Sequence, residues 1–257
     1  MKRGKHELRK EMPLLYGDKL NFAASEAYKL LRTNLLFALP YKDKCRVVGV
    51  TSSRGGEGKS TTSVNLAYSL AEAGHDTLLL EADLRLPTIA KRLGLRSTRG
   101  LSNILAVQAD LGSGPVIQES GIHEKLRVLS SGGIPPNPSE LLGSEHMREL
   151  LNARGEMCAF ISVDLPPVNA VSDALAVSRW TDGLLMVVRQ NYVTMREVDD
   201  AMRQLSFAGV KVLGFVMTDS DMLTKGKKKY HKKDSYGYGY GCRYRPQGPG
   251  PTQRADD

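Results

Sequence analysis

Short, nearly continuous apolar runs alternate along most of the chain with stretches in which apolar positions recur every three or four residues. The runs at 47–51, 77–80, 126–129, 159–163, 183–188 and 212–217 predict strands, most of them too apolar to face solvent on either side. Helical spacing predicts helices at 25–37, 59–72, 87–93, 139–153, 171–180 and 195–207. In the first of these, Tyr28, Leu31, Leu35 and Leu36 recur at helical spacing, Ser25 is the candidate N-cap, and Pro40 ends the element. Apolar strands alternating with helices predict an α/β fold: a doubly wound, mostly parallel sheet covered on both faces. Residues 1–20 are polar and aperiodic and read as a basic N-terminal arm, and residues 21–222 carry the fold. From 223 to 257 the composition shifts to Lys, Tyr and Gly and then to Pro and Gly, which predicts a flexible tail.

Composition narrows the class. With 257 residues, 41% hydrophobic and 25% charged, the chain is neither disordered nor fibrous. No apolar run approaches the roughly 18 residues of a membrane span. Lys2, Arg3, Lys5, Arg9 and Lys10 precede no apolar stretch, so no secretory signal is expected. Cys45, Cys158 and Cys242 lack the spacing of a disulfide, zinc or iron–sulfur framework, and a cytoplasmic protein is expected. The net charge of +8 belongs to the ends: residues 1–12 hold five Lys/Arg and two Glu, and 223–257 hold nine Lys/Arg and three Asp. The body between is close to neutral, so its fold presents no basic groove and no nucleic-acid partner is expected.

Three predicted strand ends carry chemistry. Ser53, Arg54, Gly55, Gly56, Glu57, Gly58, Lys59, Ser60 and Thr61 follow a strand and open a helix, the setting of a phosphate-binding loop. Its backbone N–H groups and the helix N-terminus favour phosphate oxygens; Lys59 adds a cation for the β- and γ-phosphates, and the Ser60 hydroxyl can ligate Mg²⁺. A lysine at such a junction has no expected core role. The second strand ends in Glu81 and Asp83, which a period of two places on one side, followed by Arg85. The third ends in Asp164 before Leu165-Pro166-Pro167, and an aspartate there is placed to hold the Mg²⁺ of a nucleotide.

Together these segments resemble the Walker A, A′ and B motifs of the bacterial tyrosine kinases that regulate capsule and exopolysaccharide synthesis, relatives of the MinD/ParA ATPases. The resemblance covers about residues 20–222 and includes residues 135–142, where Asn137, Pro138 and Glu140 predict a capped helix start. It implies ATP and Mg²⁺ as cofactors, Lys59 and Arg85 stabilising charge, Ser60, Asp83 and Asp164 at the metal, Glu81 as the first carboxylate of the pair, and Asp83 orienting or deprotonating the acceptor phenol. It also implies that Tyr230, Tyr236, Tyr238, Tyr240 and Tyr244, a cluster with nothing to pack against, are phosphoacceptors used in trans. Glu26, Lys29 and Arg32 resemble a subunit-contact motif of the kinase ring. Further partners implied are a membrane-adaptor activator, which would place the chain at the inner face of the membrane, and a tyrosine phosphatase. Glu81 for the usual Asp, Leu165 for Thr or Ser, Lys29 for Arg and the missing Asn near Thr218 depart from the family pattern. Arg54 stands where MinD/ParA loops carry an extra lysine, which keeps an ATP-hydrolysing switch as the alternative; a nucleotide-gated module with a nucleic-acid- or membrane-binding tail is the other.

Overall fold

A computed structural model describes residues 16–39, 44–106 and 116–219. Residues 1–15 of the basic arm and the tail tyrosines Tyr230, Tyr236, Tyr238, Tyr240 and Tyr244 lie outside the described residues. Among those described, strands β1 (Arg46–Ser52), β2 (Thr77–Glu81), β3 (Ile117–Glu119), β4 (Leu126–Leu129), β5 (Phe160–Asp164), β6 (Gly183–Arg189) and β7 (Val212–Thr218) form one sheet in the order β3-β4-β2-β5-β1-β6-β7. Every neighbouring pair is parallel except β3 against β4. The helices are α1 (Phe22–Ala38), α2 (Lys59–Glu72), α3 (Ile89–Leu93), α4 (Leu101–Ala106), α5 (Pro138–Leu142), α6 (Glu145–Gly155), α7 (Asp173–Ser178) and α8 (Met195–Phe207).

The predicted doubly wound sheet follows from residue alternation in strands that are apolar on both sides. Val47, Leu78, Leu80, Ile161, Val163, Leu184 and Met186 pack with residues of α4–α8. Val48, Val50, Phe160, Leu185 and Val187 pack against α1 and α2. All residues of β1, β2 and β5 are buried. Each fully buried Val, Leu or Ile contributes about 1.5–3 kcal/mol, so these three strands form a rigid base. Their carboxyl ends lie side by side, with Val50 and Glu81 both in register with Asp164.

Local signals shifted several boundaries. α1 begins earlier than expected because Asn21, not Ser25, is its cap, accepting a hydrogen bond from Ala24 N at 2.9 Å. The single helix expected at 139–153 is two, since Ser144 caps a new helix by accepting from Met147 N. Asn137 stands at the start of α5 but makes no side-chain cap; its amide donates to Glu140 Oε2 instead. Helix α4 and the antiparallel strand β3 were not expected. Both are too short to establish a period, and β3 is only half-buried. The last residues of the predicted arm are docked, with Tyr16 buried against α2, α3 and the β2/β4 face and Gly17 N donating to Asn65 Oδ1.

Candidate active site

The loop between β1 and α2 is held from outside by its own carbonyls. Ser52 Oγ donates to Arg54 O (2.7 Å), Tyr192 Oη to Gly55 O (3.0 Å), Arg189 Nη1 to Gly56 O (3.2 Å) and Thr218 Oγ1 to Glu57 O (2.7 Å). With these acceptors engaged by the protein, the loop N–H groups after Arg54 are the ones left to meet an anion. Gly56 and Gly58 carry φ of 88° and 93°, a region in which a side chain is strained. Glu57 is fully buried and does not reach outward: Oε1 accepts from Ser53 Oγ (2.6 Å) and Arg54 N (2.8 Å), and Oε2 from Arg189 N (3.2 Å). Glu57→Gln places a donor against a donor at one of these contacts. We expect stability to fall by about 1–2 kcal/mol in chemical denaturation and ATP to bind roughly tenfold more weakly in calorimetric titration.

Inside the loop, Lys59 Nζ lies 2.9 Å from Asp83 Oδ2, with both side chains largely buried. Burial alone would push the Lys59 ammonium down, but the carboxylates of Asp164 and Asp83 outweigh it and hold the group above its ordinary value. Asp164 is 1% exposed and accepts from Ser63 Oγ at 3.0 Å. Burial pushes its carboxyl up to about 6, against the pull of Lys59 and the Ser60 and Ser63 hydroxyls. Lys59, Ser60, Asp83 and Asp164 therefore converge as expected. Lys59 is also part of the buried structure, contrary to the expectation of no core role.

The carboxylate pair of β2 separates. Asp83 meets Lys59, whereas Glu81 Oε1 accepts from Thr88 N (2.6 Å) and Ile89 N (2.5 Å) and Oε2 from Ser131 N (3.2 Å). The extra methylene carries the Glu81 carboxylate to the start of α3 and the β4 exit, where it holds three backbone N–H groups instead of meeting Lys59 beside Asp83. Arg85 is likewise committed elsewhere: Nε and Nη2 grip the buried Asp173 at 2.8 and 3.0 Å, and Asp173 also accepts from Ser139. This fork ties β2 to the start of α5 and of α7, which accounts physically for the residues around Ser139. Arg85→Ala should cost about 2 kcal/mol in chemical denaturation, discounted for the exposed guanidinium, while ATP affinity is largely kept.

Sequence spacing missed the groups that arrive from distant segments. Arg92 Nη1 donates to Thr61 Oγ1 (3.2 Å), and Arg54 pairs with Glu197 (3.1 Å). Thr218 and Asp219, where no Asn was found, hold Glu57 O and Arg189. Among the described residues no helix is long and apolar enough to cross a membrane.

The ParA family profile described as NUBPL iron-transfer P-loop NTPase matches residues 44–241. Tyrosine-protein kinase YwqD of Bacillus subtilis is 37% identical over 222 residues, 85% of this chain and 87% of that protein. The solved kinase domain of Escherichia coli tyrosine kinase ETK superposes with a TM-score of 0.75 at 33% identity, covering 92% of this chain and 89% of that one. The chain belongs to the bacterial tyrosine kinases. The chimerical protein CapA2B2 is a further solved neighbour, with a TM-score of 0.69 and 34% identity over 75% of this chain and 83% of that one.

As a tyrosine kinase within the ParA-like P-loop NTPases, the chain binds nucleotide. Of the residues matched to the ring-contact motif, Glu26 and Lys29 pair with each other at 3.0 Å on the surface of α1. Arg32 instead turns inward, donating to Ser69 O (2.6 Å) and Ser69 Oγ (3.1 Å) near the end of α2. Leu165, in place of a hydroxyl residue, is fully buried in the core.

Proposed function

We propose that this kinase transfers the γ-phosphoryl group of ATP to its own tail tyrosines, Tyr230, Tyr236, Tyr238, Tyr240 and Tyr244, in trans within a homo-oligomer. The carrying observation is the Lys59–Asp83 pair beside Asp164 at the ends of β2 and β5. The loop at residues 53–61 holds the phosphates, and Lys59, released from Asp83, stabilises charge on the transferring group. Asp83, freed by the same exchange, is then placed to orient the phenol and accept its proton. The Ser60 hydroxyl and the Asp83 and Asp164 carboxylates are hard oxygen donors, and the buried, weakly partnered Asp164 fits a divalent cation; these residues would hold Mg²⁺, which would neutralise phosphate charge. Arg54, at the position of the MinD/ParA lysine, is spent within its own chain on Glu197 and Tyr192, which favours the kinase over the switch.

A membrane adaptor's cytoplasmic segment as activator, a cognate phosphatase and control of capsule or exopolysaccharide synthesis complete this reading, with the chain peripheral at the inner membrane face through the adaptor. The experiment is intact mass after incubation with ATP and Mg²⁺, with and without an adaptor segment. Replacing the five tail tyrosines by Phe should remove most phosphate incorporation and leave ATP binding unchanged. Wild-type incorporation in that variant would sink the assignment. Hydrolysis without any mass gain would favour the switch.

A further inference from the structure

The turn between β6 and α8 presses one of the loop's outer tethers, Tyr192, onto residues 54–56. Tyr192 is 38% exposed, and its hydroxyl donates to Gly55 O at 3.0 Å. Its ring lies between two guanidinium groups, Arg54 and Arg189, each carbon 4.9 Å from the ring centroid. Asn191 beside it and Asp219 both adopt left-handed φ, 57° and 56°, a region that Asn and Asp enter more readily than other side chains. Asp219 in turn fixes Arg189 at 2.7 Å, and Glu197 fixes Arg54 at 3.1 Å. A partly exposed phenol whose oxygen sits on a loop carbonyl and whose ring is covered by two ion-paired cations is a place where an added phosphate would disturb all of these contacts at once.

We propose that Tyr192 is itself a phosphorylation site, and that phosphate there disables the loop for ATP. Tyr192 Oη of one chain attacks the γ-phosphorus of ATP held by another copy. The bond to the β–γ bridging oxygen breaks, ADP leaves, and, resting on the trans reaction proposed above, the phenolic proton passes to Asp83 of the copy that holds the ATP. The phosphorylated oxygen no longer has a proton for Gly55 O, and its phosphate oxygens and that carbonyl repel. The new group, carrying about −1.5 to −2 charge, draws Arg54 from Glu197 and Arg189 from Gly56 O. The loop thereby loses outer tethers at Gly55 and Gly56 and gains an anion beside the place where ATP brings its own. Phosphorylation of this tyrosine is a brake that the enzyme's own reaction applies.

The test uses the full chain incubated with ATP and Mg²⁺, with and without the adaptor segment, followed by tryptic mapping in which the tail peptides report whether the kinase is active. Cleavage after Arg189 and Arg196 isolates Tyr192 as the single tyrosine of peptide 190–196. We expect phosphate on that tyrosine, located by fragmentation to separate it from Thr194. In parallel, phosphotyrosine installed at position 192 during translation should weaken ATP binding by about tenfold or more, and phosphatase treatment should restore it. Tyr192→Phe, which loses one hydrogen bond but gains no charge, should weaken ATP only severalfold. An unmodified 190–196 peptide, whatever happens elsewhere on the chain, overturns the site. Unchanged ATP affinity in the phosphotyrosine form, or an effect no larger than that of Tyr192→Phe, overturns the brake.

Discussion

Lys59→Met is expected to lose all kinase activity and also about 3 kcal/mol of stability. The first effect follows from removing the cation that meets the phosphates. The second follows from the geometry of the free protein, where Lys59 is 2.9 Å from a nearly buried Asp83 and within the field of the buried Asp164. Methionine fills the space but leaves both carboxylates without their cation in a low-dielectric site. For a domain of this size, 3 kcal/mol corresponds to a fall of roughly 6–12 °C in melting temperature. Adding Asp83→Met to Lys59→Met removes one orphaned charge, so the double variant should regain much of the lost stability and none of the activity. Calorimetric melting separates these outcomes. A Lys59→Met protein as stable as wild type would mean the ion pair contributes nothing to the fold, and retained phosphoryl transfer would mean the site is misassigned.

What could be read from the chain, and what could not, divides by range of interaction. Strands β1, β2 and β5 were legible because they are apolar on both sides, and the strand–loop–helix setting of Gly58-Lys59-Ser60 is a local pattern. The convergence of Lys59, Asp83 and Asp164 follows once those strands are parallel neighbours. Charged residues in similar local settings nevertheless took different roles. Glu81 sits two positions before Asp83, yet one methylene and three backbone N–H groups send it to the α3 and β4 ends. Arg85 has the spacing of a phosphate ligand, but Asp173, far along the chain, claims both sides of its fork. Glu57 lies within the loop motif and serves as its internal strut. None of the donors that satisfy the loop carbonyls at 55–57, from Tyr192, Arg189 and Thr218, belongs to a motif. They are brought in by β6 and β7, and only tertiary structure could name them.

Asp164→Asn should stabilise the metal-free protein while abolishing Mg²⁺-dependent phosphoryl transfer. Burial raises this carboxyl from its ordinary 3.8 to about 6, so the folded chain holds the proton more tightly than the unfolded one. A raised acid lowers stability as pH climbs: the cost is absent near pH 4, grows between about 4 and 6, and is complete above 6. The difference corresponds to about 3 kcal/mol at neutral pH, as an upper limit for a single site. Asparagine never ionises, keeps an oxygen for Ser63 Oγ and leaves Lys59 its partner Asp83. In the presence of a chelator, denaturation curves of the two proteins should coincide near pH 4 and diverge through pH 6, the variant being the more stable by about 2–3 kcal/mol at pH 7.5. Parallel curves, or a less stable variant at neutral pH, would show that Asp164 is not held at a cost. The sign matters for function. A carboxylate that destabilises its own fold is retained for what it binds, and here the incoming cation and the displaced Lys59 are the groups that would relieve it.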